Sequence, residues 1–168
     1  LKNHVDAIEV LARLREAHGI EAGLWLLGAR DPGREAYVAE LEAHALKRGV
    51  AARVAITEPR SDIVDAYGMA AVVLQVSGKP ESFGRTVVEA LSVGVPVAGY
   101  AHGGVGELLR EMLPAGAVAL GDVEALAGVV ANWLRHPPEV PSPARYRLSQ
   151  MQEATLALYT EIVEAWPD

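Results

Sequence analysis

The chain has 168 residues, 51% hydrophobic and 22% charged, with a formal net charge of −7; this suits one soluble globular domain with a full core. Residues 1–60 carry nine basic and nine acidic side chains, and residues 61–168 carry six basic and thirteen acidic, so no basic stripe addresses nucleic acid or anionic lipid. The absence of cysteine excludes disulfides and thiolate metal sites, and no apolar run reaches the ~18 residues of a membrane-spanning helix.

The sequence opens on Leu1 without a signal-peptide pattern, so a cytoplasmic piece of a longer protein is expected. Asn3 followed by Asp6 predicts a helix cap with an acidic first turn. Val5, Ile8, Leu11, Ala12 and Leu14 then recur at helical spacing as far as Gly19. "GLWLLGA" (23–29) reads as a strand buried on both faces and closed by Gly28. Asp31 and Pro32 predict the start of a helix that runs through Tyr37, Val38, Leu41 and Leu46 to Gly49. A strand follows at 52–56, then a loop in which Ser61 caps a short helix, then a strand at 71–76. After the loop "SGKPES" come a helix over 83–93, a strand over 95–99, the glycine-rich "HGGVG" opening another helix, and a strand over 116–120. Asp122 caps a helix that reaches about His136. "PPEVPSP" is a stiff linker to a last helix over 144–168. There Leu148, Met151, Thr155, Leu158, Tyr159, Ile162, Val163 and Trp166 form one stripe, read as core or else as a docking face.

Short apolar strands alternating with helices predict an α/β fold, a Rossmann-like doubly wound parallel sheet with helices on both faces. Ligands of such sheets bind outside the carboxyl ends of the strands. The loops 28–33, 57–61, 77–82 and 99–106 all lie on that edge.

Glu81 and Glu89 lie eight positions apart, on the order of 12 Å along a helix. That is close to the separation of the two sugars of a sugar nucleotide. A helix start near Gly84 would offer its N–H groups and positive dipole end to the phosphates between them. By spacing alone, Glu81 could equally be a charge flanking the helix start and Glu89 a solvated helix residue. His102 sits on the ligand edge, as a phosphate contact or as a turn histidine. The remaining histidines, His4, His18, His44 and His136, have no metal-ligand spacing. Neither "HGGVG" nor "GARDPG" makes a dinucleotide loop, and no nucleophile elbow or P-loop lysine is present.

The stretch "PESFGRTVVEALSVGVPVAGYAHGGVGELL" resembles the donor-binding signature of retaining glycosyltransferases with the GT-B fold, of the glycosyltransferase family 4 type. Its matching elements are Glu81, Phe83-Gly84, Glu89-Ala90, Gly94-Val95-Pro96-Val97 and Gly103-Gly104-Val105-Gly106-Glu107. "LKNHVDAIEVLARL", "LWLLGA", "DIVDAYGMAAVVLQVS" and "YRLSQMQEATLALYTEI" are similar to other parts of the same half, so the resemblance covers nearly the whole chain.

The resemblance implies that residues 1–168 are the nucleotide-sugar-binding domain of a hexosyltransferase in carbohydrate biosynthesis. Glu81 would position the donor sugar, the catalytic-site role, and Glu89 would bind the ribose. Phe83, Gly84 and Arg85 would lie near sugar and diphosphate, with the Arg85 side chain either on phosphate or in a surface salt bridge. Lys2 would neutralise diphosphate, Gly28 would flank the nucleotide loop, and Thr57 and Glu58 would lie where the base is read. No cofactor and no obligatory metal are implied, and the donor is a nucleoside-diphosphate sugar. An acceptor-binding N-terminal domain, and a central strand with an arginine ahead of Lys2, are expected upstream. Without them the segment is expected to be inactive, with self-association through the last helix. The rival readings are a stand-alone sugar-nucleotide-binding or regulatory module and a GT-B nucleotide-sugar epimerase.

Overall fold

The computed structural model describes residues 2–166. In chain order they form α1 (His4–His18), β1 (Leu24–Leu27), α2 (Glu35–Lys47), β2 (Val54–Thr57), α3 (Ile63–Gly68), β3 (Val73–Gln75), α4 (Arg85–Ser92), β4 (Val97–Tyr100), α5 (Gly103–Met112), β5 (Ala117–Val118), α6 (Val123–Arg135) and α7 (Leu148–Ala165). All strand pairs are parallel. β1 pairs with β2 from Leu24↔Val54 to Leu27↔Thr57. β4 lies between β3 and β5, with Val73↔Val97 and Gly99↔Ala117 in register. Helices cover both faces: α1 packs on α2 and α6, while α4 packs on α3 and α5.

The five strands form two hydrogen-bonded ladders, β1-β2 and β3-β4-β5. β1 and β3 are not bonded to each other, and among the described residues no strand lies between them. A central strand ahead of α1 is what the sequence resemblance expects. One core nonetheless runs behind both ladders. Ile8 of α1, Leu41 of α2, Leu109 of α5 and Leu126 of α6 are fully buried, each contributing roughly 1.5–3 kcal/mol relative to exposure.

Several local expectations shift. Asn3 stands at the cap position of α1, but its backbone is left-handed (φ 52°) and its side chain makes no cap. It donates instead to Asp6 Oδ2, which also accepts from Tyr100 Oη at the end of β4. The α2 helix starts at Glu35 rather than at Pro32, because residues 31–34 close a turn (Arg34 N to Asp31 O, 3.0 Å). β2 starts at Val54, since residues 51–53 form a 3-10 turn. Asp62, not Ser61, precedes α3, and its carboxylate is held by Arg60 instead of capping. β5 shrinks to two residues between a 3-10 turn over 114–116 and the turn closed by Asp122 N on Ala119 O. Asp122 does cap α6, accepting from Ala125 N at 2.9 Å. The largest correction concerns α7. Its amphipathic stripe is not core, because no residue of the helix is buried.

Candidate functional site

Behind the site, β3 and β4 end on the same edge, and the chain leaves β3 through a loop over 77–84 before α4. This loop rests on the start of α5, where glycines allow the approach. Gly104 N donates to Glu81 O at 2.8 Å. A Cβ on Gly104 would stand 2.6 Å from both Ser82 O and Phe83 O. Gly84, at the N-cap of α4, has φ 93° and would place a Cβ 2.9 Å from Val105 Cγ2. Gly84 and Gly104 thus let the loop before α4 and the start of α5 pack in close contact. His102 donates from Nε2 to Ser77 O at 2.8 Å and so braces the loop after β3.

In front of this packed loop lies an open cleft of about 410 Å³, lined by Lys2, residues 81–86 and Glu89. Lys2 arrives from the other end of the sequence. The Asn3–Asp6–Tyr100 hydrogen bonds tie the start of α1 to the end of β4, and Lys2 Nζ reaches Glu81 Oε1 at 2.5 Å. On α4, Arg85 donates to Glu89 Oε1 through Nη2 (2.8 Å) and Nε (3.1 Å). Tyr67 Oη of α3 donates to Glu89 Oε2 at 3.1 Å. Burial, and then the adjoining Glu89 carboxylate, push the Tyr67 phenol up to about 12, so it stays a donor. Burial also lowers His4, next to Lys2, below the usual imidazole range.

Six of the nine sequence-predicted site residues thus share one cleft: Lys2, Glu81, Phe83, Gly84, Arg85 and Glu89. The other three do not line it. Gly28, Thr57 and Glu58 lie at the ends of β1 and β2, where Thr57 O accepts from Gly28 N (3.0 Å) and Arg30 N (3.1 Å). The Thr57 hydroxyl accepts from Trp25 Nε1 at 2.7 Å, so both oxygens of Thr57 already bond within the β1-β2 unit.

Sequence reasoning did not find Tyr67 or Tyr146. Tyr146 sits in the 3-10 turn before α7, with its ring edge-on to Phe83 at 5.8 Å. Its hydroxyl donates to Glu111 Oε2 at 2.9 Å. Both lie in stretches that carry the resemblance, Tyr67 in "DIVDAYGMAAVVLQVS" and Tyr146 at the head of "YRLSQMQEATLALYTEI", but no spacing rule singles out either ring. Among the described residues, no group of three or more His, Asp or Glu side chains is placed to hold a metal ion. None of their helices is long and apolar enough to cross a membrane.

The cleft offers two cations, two carboxylates and a helix N-terminus within one open groove. Such a set can hold an anion flanked by hydroxyl-bearing groups.

Comparison with known proteins gives the same direction. The profile of the family described as glycosyl transferases group 1 matches residues 1–151. D-inositol 3-phosphate glycosyltransferase of Mycobacterium avium (strain 104) is 32% identical over 114 residues, covering 67% of this chain. The chain spans about a quarter (26%) of the length of that curated relative. Among solved structures, HepE of Anabaena in complex with UDP-glucose is 28% identical, with a TM-score of 0.71 over 79% of this chain and 35% of its own. A glycosyltransferase from Rickettsia africae ESF-5 shares the fold, with a TM-score of 0.82 over 96% of this chain and 45% of its own at 21% identity.

Proposed function

The chain belongs to the glycosyl transferases group 1 family, and from that premise we propose that it is the donor-binding half of a retaining glycosyltransferase that uses a nucleoside-diphosphate sugar. The observation that carries this reading is the convergence of Lys2, Glu81, Arg85 and Glu89 around the N-terminus of α4 in one cleft. The binding of UDP-glucose by HepE supports it from outside the chain.

In this reading Glu89 accepts hydrogen bonds from the ribose diol, and Glu81 accepts them from the donor sugar. The diphosphate lies between them at the start of α4. Lys2 and the first-turn N–H groups of α4 meet the negative charge that grows on the diphosphate as the sugar–phosphate bond breaks. Gly84 lets the backbone come close, since a side chain there would strike Val105. An acceptor domain elsewhere in the whole protein would close the cleft, exclude water and align the attacking hydroxyl. The described residues form one wall only, so this chain binds donor weakly and does not transfer sugar by itself.

Calorimetry with uridine and guanosine diphosphates, and with their glucose and mannose conjugates, tests the reading. Glu89→Ala weakens nucleoside diphosphate binding by more than about 1 kcal/mol, because it removes charged hydrogen bonds. Glu81→Ala leaves nucleoside diphosphate binding intact and lowers only the preference for the sugar-bearing ligand. Equal losses for both ligands in Glu81→Ala would move Glu81 to the diphosphate or to folding. Acceptor-dependent turnover by the 168-residue chain would place more of the chemistry in this half.

A further inference from the structure

The charges of the cleft are paired off in the folded chain. Lys2 holds Glu81 and Arg85 holds Glu89, so the four side chains sum to zero. The two partners of Glu89 differ in kind. Tyr67 comes from a different helix, is half-buried and carries a neutral donor to Oε2. Arg85 shares α4 with Glu89, and its side chain is 83% exposed against 33% for Glu89. Exposed pairs one helical turn apart are weak and are screened by salt. Arg85 is also the first residue of α4, at the positive end of the helix dipole, where a cation is poorly placed and an anion is favoured. Its planar fork suits two phosphate oxygens as well as it suits a carboxylate.

We propose that Arg85 is an exchangeable counter-ion: it covers Glu89 in the free chain and passes to the diphosphate when a nucleoside diphosphate binds. Glu89 Oε1 is thereby released to the ribose diol, while Tyr67 keeps Oε2 oriented. This rests on Glu89 being the ribose acceptor. The exchange gives Arg85 opposite roles toward two ligand types. Toward a nucleoside without phosphate it only competes for Glu89. Toward a nucleoside diphosphate it replaces one carboxylate by another anion.

The test is binding of uridine, guanosine and their diphosphates to the 168-residue chain by chemical-shift titration, with Arg85→Met, Glu89→Gln and the double variant. Arg85→Met tightens the nucleoside about 2-fold, the size of a helix ion pair, and weakens its diphosphate about 10-fold, the size of a lost charged hydrogen bond. In the double variant the nucleoside gain disappears. Equal weakening of both ligands by Arg85→Met, or no change in either, overturns the exchange. If Glu89→Gln weakens both ligands while Arg85→Met changes neither, the ribose reading stands and the exchange falls. If Glu89→Gln changes neither ligand, or if no diphosphate binds the unsubstituted chain, both fall.

Discussion

Gly104→Ala separates steric packing at the site from backbone preference. Gly104 lies in the first turn of α5 and does not need a positive φ, so alanine can adopt its backbone without strain. The added Cβ would stand 2.6 Å from Ser82 O and Phe83 O, and 2.7 Å from Phe83 Cα. Ordinary contact begins at 3.4 Å, so the loop must retreat by about 0.8 Å (3.4 − 2.6). All three obstacles are backbone atoms, and the loop is pinned by Gly104 N on Glu81 O at 2.8 Å. No flexible side chain can give way. Forced overpacking costs about 1–3 kcal/mol, which in a chain of this size lowers Tm by roughly 2–4 °C per kcal/mol. Gly128→Ala is the partner measurement. Gly128 lies inside α6 with nothing within 4 Å of an added Cβ, so alanine there stabilises by about 0.5–1 kcal/mol. Urea unfolding of both variants reads the two signs. A Gly104→Ala chain as stable as the parent, beside a stabilised Gly128→Ala chain, would refute the claim that the loop before α4 is seated on α5 by backbone contact.

Asp122→Ala should cost about 1 kcal/mol in urea unfolding, because its carboxylate accepts the Ala125 N–H at the start of α6. Ending the chain after Arg147 should change stability by less than about 0.5 kcal/mol, because α7 buries none of its residues. The same truncation should lower self-association in sedimentation, since it removes exposed Leu148, Met151, Tyr159 and Trp166. His4 should contribute to acid sensitivity. Its folded pKa lies below the usual 6.5, so the unfolded chain binds the proton first as pH falls. Stability from this group is complete above about pH 6.5 and drains away below it. Unfolding at pH 7.5 and 5.5 should show a smaller drop in His4→Phe than in the parent.

The order of elements was legible because strands here are short apolar runs and the helices have 3.6-residue periods. The elements of α1, α4, α5 and α6 fall where their apolar positions recur. Caps were less legible, since a capping side chain can be claimed by another partner. Asp122 accepts from Ala125 N and caps, whereas Asp62 is taken by Arg60 and Asn3 donates to Asp6. The stripe of α7 was visible as a stripe, but periodicity reports where apolar side chains stand and not what covers them. At the site, the Arg85–Glu89 step could be read along one helix, whereas Glu81 stands in the loop before α4 and not on the helix that carries Glu89. Lys2 meets Glu81 across 79 positions through the Asp6–Tyr100 link, and only the resemblance of the whole signature pointed there. Tyr67 reaches Glu89 from α3, at a spacing that no helical or strand rule connects.

The division of the strands into two ladders sets a gradient of hydrogen-exchange protection. β4 is paired on both sides, and all four of its residues are buried, so its amides should open only with the whole domain. β2 is paired on one side only and contains no buried residue, which favours opening in smaller, cheaper fluctuations. Between these limits stands the loop over 77–84. It is seated on the start of α5, where Gly104 N on Glu81 O is its one backbone bond to α5 among those described. Exchange should therefore be slower in β4, behind the cleft, than in β2 at the far ladder.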